Sequence, residues 1–202
     1  YTNHGYLRTD DIDKQFAEHL TSDELTIDFW YFRKSTAITT LSATESGLLS
    51  FNELSTGAQK TLLAQHPDGH LILSKSDGTA EGRDATTINT PVLSFGQWNH
   101  IAIYFSSGET SLYVNGEKVD TTANQLLEYV TGTTVYLGAR QGFAADFGVG
   151  DHTIGFFGSL RFTSGRRYEE YVSGPDTFIT DDGTENPKSG GALSPIYANP
   201  VP

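Results

Sequence analysis

The feature that most constrains the fold is an alternation of apolar residues with a period of two. Residues 25–32 (LTIDFWYF) place Leu, Ile, Phe and Tyr at every second position, and residues 99–105 (NHIAIYF) repeat the pattern with Ile101, Ile103 and Phe105. Successive side chains of a strand point to opposite faces of its sheet, so this period indicates a strand with one buried face. The pattern predicts a sheet protein rather than a helical one.

Turn residues separate the alternating runs. Ser106-Ser107-Gly108-Glu109 and Asn115-Gly116 follow two such runs, and the Asn-Gly pair can adopt the positive φ angles of a tight hairpin. A third turn, His66-Pro67-Asp68-Gly69-His70, joins runs that start at 59 and 71 and predicts another hairpin. Further runs are found at 47–54, 134–139 and 154–162, and the polar residues 77–87 are predicted to form a connection. This spacing favours an all-β fold of two antiparallel sheets.

Composition excludes several classes of function. The formal net charge is −12, which opposes binding to nucleic acids and to anionic membranes because both carry phosphate groups. No apolar run is long enough for a membrane-spanning helix, so membrane insertion is not expected. The chain has no Cys, which rules out disulfides, thiolate metal sites and Cys nucleophiles.

The chain divides by composition into two parts. Residues 1–172 carry the strand patterns and are predicted to be one domain, with Trp30 and Trp98 in its core because each lies in an apolar run. Residues 173–202 are rich in Gly, Pro, Ser and Asp and are predicted to be a C-terminal strap or linker. We expect the strap to follow the domain to about Ile179 and the remainder to be mobile.

Five short motifs, in this order along the chain, resemble the laminin-G-like branch of the concanavalin A-like lectin/glucanase superfamily. They are LTIDFW (25–30), GQWNHIA (96–102), SLYVNG (111–116), VYLG (135–138) and FGSLRF (157–162). The ending LRFTSGRRY (160–168) is similar to versions found in phage tail proteins and large bacterial surface proteins. The sequence departs from the usual pattern at Ser159-Leu160, where the family has an acidic pair, so a polar contact of the family is not expected there.

The resemblance implies a concanavalin A-like jelly roll, a two-sheet antiparallel sandwich. It also implies binding of glycans or proteins through loops at the rim, often with Ca²⁺. In such a fold, Trp98 would fill the sandwich interior and Asn115-Gly116 would form a turn at its edge.

The sequence does not favour an enzyme. Glycosidases of this superfamily carry two carboxylates spaced Glu-x-Asp-x-x-Glu on one strand, so that they share a cleft. No Glu-x-Asp occurs in this sequence, and the adjacent Glu169 and Glu170 would point to opposite faces of a strand. A Gly-x-Ser-x-Gly nucleophile motif is also absent.

The predicted ligand site is the rim formed by residues 140–152 and the loop 77–84. The Gly-rich stretch 140–152 combines aromatic rings with polar groups. The residues predicted to contact a ligand are Arg140, Gln141, Phe143, Phe147 and His152. Carboxylates beside glycines suit Ca²⁺, and the predicted metal ligands are Asp146, Asp151, Asp77 and Asp84. Two simpler interpretations remain open, a solvated acidic loop for the carboxylates and a loop folded over the sandwich end for the two phenylalanines.

Two further pairs of residues need an interpretation. His66 and His70 flank a turn and could face each other in a transition-metal site, although two exposed turn residues are the favoured interpretation. Tyr104 and Tyr113 are expected on a solvent-facing sheet surface.

Taken together, these patterns predict a non-enzymatic, extracellular recognition module on a virion or cell surface. Its expected partner is a cell-surface glycan or glycoprotein, in a phage tail or other virion protein or in a large bacterial adhesin, alongside other subunits of a larger assembly. The alternative is a structural spacer or assembly domain of a virion fibre without a ligand of its own. A glycan-degrading enzyme is the third alternative and is disfavoured by the missing carboxylate motif.

Overall fold

The computed structural model of the chain describes residues 7–9, 23–34, 46–53, 59–76, 83–127, 133–139, 153, 155–167, 177–179 and 185–187. Within these residues all regular elements are strands, and none is a helix. The described segments accordingly contain no helix with the length and apolarity of a membrane span.

Two antiparallel sheets account for eleven of the strands. The β3 sheet contains, in spatial order, β1 (Leu7–Thr9), β10 (Thr133–Leu137), β3 (Ser46–Glu53), β4 (Gln59–Gln65), β5 (Leu71–Ser76) and β6 (Arg83–Asn89). The β2 sheet contains β11 (Gly155–Ser164), β2 (Glu24–Arg33), β7 (Trp98–Ser106), β8 (Glu109–Val114) and β9 (Glu117–Thr122). Two short strands, β12 (Thr177–Ile179) and β13 (Glu185–Pro187), pair with each other.

The main core draws apolar side chains from both sheets. On β2 these are the alternate residues Leu25, Ile27, Phe29 and Tyr31, each at most 2% exposed, as the period of two predicts. The side chains that meet them include Leu49, Phe51, Leu63, Leu73, Ile88, Ile101, Ile103, Phe105, Leu112, Val135 and Leu137. The predicted two-sheet all-β sandwich is therefore confirmed, and it leaves the opposite face of each sheet turned away from this core.

Two predicted hairpins are confirmed. β4 and β5 pair on either side of the turn 66–70, and β8 and β9 pair across Asn115-Gly116. Asn115 and Gly116 have φ angles of 53° and 86°, the left-handed values that an Asn-Gly turn provides.

The connection predicted over residues 77–87 is wrong in its second half. Residues from Arg83 onward form β6, an edge strand that pairs with β5. Polar residues suit this position because the edge of a sheet meets solvent along one side. Asp84 therefore lies on a strand, whereas the prediction placed it in a loop with Asp77.

A bulge in β11 reverses the facing of the residues that follow it. Gly158 pairs with Trp30, but the next aligned pair is Arg161 with Asp28, so the two residues Ser159 and Leu160 stand opposite one residue of β2. Ser159 has a φ of 53°, consistent with a local kink. Because side-chain facing has a period of two, this one-residue shift turns Arg161 to the face that carries Asp28.

Candidate functional site

An aromatic row crosses three strands on the outer face of the β2 sheet. Phe32 is directly opposite Phe156 on one neighbouring strand and Trp98 on the other. The ring centroids are 5.8 Å apart for Phe32 and Phe156, and 5.6 Å apart for Phe32 and Trp98. These separations are typical of aromatic pairs in contact. We call Phe156, Phe32 and Trp98 the aromatic row.

The aromatic row is open to solvent at one end. Phe156 is 52% exposed, while Phe32 and Trp98 are partly buried. The Lys34 ammonium lies 5.4 Å from the centroid of the Phe156 ring, close enough for a cation–π contact. Exposed rings beside a hydrogen-bond donor match the two faces of a sugar, which has apolar C–H groups on one side and hydroxyls at its edge.

The predicted position of Trp98 inside the sandwich is wrong. Trp98 packs at the margin of a second, smaller cluster on the outer face, and Trp30 belongs to the same cluster. The reason is the alternation of side chains along the strand, because Trp98 is an odd number of positions from the inward-facing Ile101. Its side chain therefore points to the opposite face, together with His100.

Sequence reasoning also missed the aromatic row, although a signal for it was present. Phe32 follows the inward-facing Tyr31 directly and must face outward on a regular strand. Trp98 is in phase with the outward-facing His100 and therefore also faces outward. Phe32 and Trp98 lie near the same end of the sheet. Phe156 could not be placed in this way, because its partner strand was not known from sequence.

A buried polar cluster lies further along the same face. The Asp28 carboxylate, whose side chain is 3% exposed, accepts hydrogen bonds from Arg161 Nε at 3.2 Å and Nη2 at 2.9 Å. Nε2 of His100 lies 3.5 Å from Asp28 Oδ1, and Nε of Arg167 lies 3.7 Å from Oδ2. We call these four residues the Asp28 cluster. It ties together β2, β7, β11 and the segment after β11.

The environment of the Asp28 cluster sets its protonation. Burial alone would raise the pKa of Asp28, but hydrogen bonds from His100 and Arg161 outweigh it and hold that pKa below the usual value. Burial also dominates at His100, where it lowers the pKa despite the nearby carboxylate. The cluster is therefore a carboxylate paired with guanidinium groups beside a neutral imidazole at neutral pH.

This protonation predicts a loss of stability in mild acid. An unfolded histidine takes up a proton near pH 6.5, whereas folded His100 resists it, so the unfolded state binds more protons below that pH. The contribution of Asp28 is complete above about pH 4 and is lost as the pH falls through its depressed folded pKa. We expect the melting temperature to fall between pH 7 and pH 5, and to fall less steeply in His100→Asn. An equal slope in wild type and variant would contradict this assignment.

The two tyrosines expected on a solvent-facing surface are on the outer face but are buried. Tyr104 and Tyr113, each 2% exposed, pack with Trp30, whose ring centroid lies 5.2 Å from that of His100. The guanidinium of Arg166 stacks 4.0 Å from the centroid of Tyr104. These residues pack beside the aromatic row on the same face, and their burial makes them unavailable as a sugar platform.

Most of the predicted site lies outside the described residues. This holds for the predicted ligand and metal residues Arg140, Gln141, Phe143, Phe147, His152, Asp146, Asp151 and Asp77. Asp84 lies on the edge strand β6. The calcium prediction therefore stays a prediction.

The described residues do show where the predicted ligand loop meets the sandwich. Thr153 follows the stretch 140–152, and its hydroxyl donates to the carbonyl oxygen of Gly47 at 2.8 Å. Ser46, the residue before Gly47, pairs with Gln65, the last residue of β4. Thr153 therefore lies close to the end of β4 that leads into the β4–β5 turn.

Two histidines come together at that turn, with an acidic residue between them. The rings of His66 and His70 stack with centroids 4.5 Å apart, and Nδ1 of each faces Oδ1 of Asp68, in the case of His66 at 3.1 Å. The donor atoms of the three residues all lie within 4.8 Å of one another. Among the described residues this is the only such group of three metal-ligating side chains. The two rings therefore face each other and are also partly exposed, and a metal site at this turn stays a prediction.

Comparison with known proteins gives a family model and distant structural neighbours. A laminin-G-type family model, described as concanavalin A-like lectin/glucanases superfamily, matches residues 2–173. Among curated proteins, no sequence matches this chain significantly.

Three of the similar solved structures illustrate the range of proteins and the degree of similarity. A heptameric SAP-like pentraxin from Limulus polyphemus has a TM-score of 0.48 and 20% identity, over 70% of this chain and 64% of the pentraxin chain. The Ruminococcus gnavus IT-sialidase CBM40 bound to α2,3-sialyllactose has a TM-score of 0.49 and 19% identity, over 77% of this chain and 89% of that one. Domain 4 of AbnA, a GH43 extracellular arabinanase from Geobacillus stearothermophilus, in complex with arabinotriose, has a TM-score of 0.47 and 16% identity, over 72% and 62%. Similarity at this level does not identify a ligand for this chain.

Proposed function

Since this chain belongs to the concanavalin A-like lectin/glucanases superfamily, we propose that it is a non-enzymatic glycan-binding module whose sugar docks on the aromatic row. The observation that carries the proposal is the exposure of Phe156, which is 52% exposed at the end of three rings in contact. The exposed face of this ring, in line with two further rings, offers an apolar surface on which the C–H face of a sugar can stack.

The shape of the row favours an extended ligand. Neighbouring strands are about 4.8 Å apart, so a row across three strands spans roughly 10 Å. This is longer than one pyranose ring, which favours an oligosaccharide lying across the strands. The Lys34 ammonium beside Phe156 can donate to a hydroxyl or pair with an acidic sugar.

The Asp28 cluster and the buried tyrosines support this surface from the neighbouring part of the same sheet. Arg161 joins the edge strand β11 to β2 through two hydrogen bonds to Asp28, which fixes the strand that carries Phe156. A rigid platform lowers the conformational entropy lost on binding. The carboxylate is held by cations rather than facing an open cleft, and the sequence lacks the Glu-x-Asp-x-x-Glu pair of the glycosidases, so we propose binding without catalysis.

The biological setting is also part of the proposal. The C-terminal motif LRFTSGRRY resembles modules of phage tail proteins and large bacterial surface proteins. We therefore propose an extracellular role in adhesion, on a virion or a cell surface, with a cell-surface glycan or glycoprotein as the partner. The net charge of −12 agrees with a partner other than nucleic acid.

A glycan array followed by variant titrations tests the proposal. We expect wild type to give a coherent set of related oligosaccharides, and Phe156→Ala and Trp98→Ala each to weaken binding of the best hit by about fivefold or more, since a stacked ring contributes on the order of 1 kcal/mol or above. Val92→Ala removes apolar surface from a residue that is 59% exposed outside the aromatic row, and it should bind like wild type.

Two results would contradict the proposal. If binding survives both row variants but is lost in Phe143→Ala or Arg140→Ala, the ligand docks on the predicted loop instead. An array without any hits, from protein that melts cooperatively, would favour a spacer or assembly domain.

A further inference from the structure

We infer that His66, Asp68 and His70 form a binding site for a divalent transition-metal ion, with Zn²⁺ as the best-matched example. The site lies on the β4–β5 turn, in the β3 sheet, whereas the aromatic row lies on the β2 sheet. The inference does not rest on the proposed glycan binding.

The first argument is the convergence of three donor atoms. Nδ1 of His66 lies 3.1 Å from Oδ1 of Asp68, and Nδ1 of His70 also contacts this oxygen. Bond lengths of about 2.0–2.2 Å to zinc place neighbouring tetrahedral ligand atoms about 3.3 Å apart. All donor atoms lie within 4.8 Å of one another, so moderate shifts of the three side chains would bring them to coordinating distances.

The second argument is that the turn holds its ligands in place. The His66 amide donates to the His70 carbonyl at 2.9 Å, and the Gly69 amide donates to the His66 carbonyl at 2.8 Å. The backbone amide of His70 also donates to Asp68 Oδ1 at 3.1 Å, which orients the carboxylate toward the rings. Ligands fixed in this way lose little conformational entropy when an ion binds.

The buried guanidinium of Arg33 supports the β4–β5 turn. Gly69 has a φ of 100°, and a Cβ there would lie 2.0 Å from Nη1 of Arg33. Arg33 in turn donates from Nη1 to the Leu93 carbonyl at 3.0 Å and from Nη2 to the Asp68 carbonyl at 3.4 Å. The turn is thus seated on an ordered side chain. Because the guanidinium is positive, the Asp68 carboxylate is needed to make the site attractive to a cation.

The donor set selects the class of metal. Two imidazoles and one carboxylate suit Zn²⁺, Cu²⁺ or Ni²⁺, whereas Ca²⁺ prefers six to eight oxygen ligands. The side chains are 41% exposed at His66, 54% at Asp68 and 22% at His70, so an ion bound there keeps a coordination position open to solvent. Water or an oxygen of an outside ligand can occupy that position.

Calorimetric titration of Zn²⁺ into tag-free, chelator-treated full chain tests the inference. We expect one ion per chain, and we expect Asp68→Asn, His66→Ala and His70→Ala each to raise the Kd by about tenfold or more, since one of three protein ligands is lost. Glu117→Gln removes the same charge from an exposed position at the start of β9 and should leave the Kd unchanged. The circular dichroism spectrum and melting temperature of each variant establish that it is folded.

The inference is overturned if wild type takes up no Zn²⁺, or if folded His66→Ala and Asp68→Asn bind it like wild type, which would place the ion elsewhere. Competition decides the metal class. An excess of Ca²⁺ should not displace Zn²⁺ from wild type, and displacement would contradict a transition-metal site.

Discussion

Asp28→Asn is expected to lower the free energy of unfolding by about 3–5 kcal/mol, measured by urea denaturation. The substitution keeps the shape of the side chain but removes the charge that pairs with Arg161 and faces Arg167. Asp28 and Arg167 are 3% and 9% exposed, so the variant leaves a buried guanidinium facing a neutral amide, with less compensation for its desolvation.

The control for this prediction is Asp23→Asn, which removes the same charge from an exposed residue immediately before β2. We expect a change within about 0.5 kcal/mol there. A double-mutant cycle of Asp28→Asn with Arg161→Gln should show a clear interaction energy, because the two residues share two hydrogen bonds. If Asp28→Asn is no more destabilising than the control, the cluster does not stabilise the fold.

Phe29→Ala is expected to lower the free energy of unfolding by about 3–5 kcal/mol, because it empties a ring-sized volume in a close-packed core. Phe29 is 0% exposed, and its ring centroid lies 6.0 Å from that of Phe157 on the adjacent strand. Chemical or thermal denaturation measures the effect.

The same substitution on the other face of the β2 sheet provides the matched comparison. Phe156→Ala removes an equal side chain from a residue that is 52% exposed, so its stability should fall by only about 1 kcal/mol, the contribution of an aromatic pair. We expect the two variants to separate the functions of the two faces. Phe29→Ala should lower stability and leave the glycan affinity of the folded protein unchanged. Phe156→Ala should lower the glycan affinity and cost only the small loss of stability given above. Equal destabilisation by both variants would show that the aromatic row belongs to the structural core.

Much of the fold was predictable from residue pattern because side-chain facing in a strand has a strict period. The alternation in 25–32 correctly assigned Leu25, Ile27, Phe29 and Tyr31 to the core. The same rule applied to Trp98 would have assigned it to the outer face, and the prediction went wrong because the apolar character of Trp was given more weight than its phase.

The candidate site was less predictable because it depends on which strands are neighbours. Phe32, Trp98 and Phe156 are far apart in sequence and meet only because β11 and β7 pair with β2 on either side. The His66 and His70 pair was visible as an alternative because a tight turn is local. Its third member, Asp68, was not assigned to it, since the direction of a turn side chain depends on the backbone conformation of the turn.

The sequence by itself determined the class of fold, the inward residues of the long strands and the positions of the tight turns. These are local properties, set by the period of two and by the few residues that adopt positive φ angles. Tertiary structure alone decided the registers, and the bulge at Ser159-Leu160 shows why this matters. Uninterrupted alternation from Phe157 would turn Arg161 inward, toward the core, whereas the bulge shifts the register by one and brings its guanidinium to Asp28. The physical reason is that register is set by the total packing of two strands against their neighbours, and one extra residue reverses every side chain that follows it.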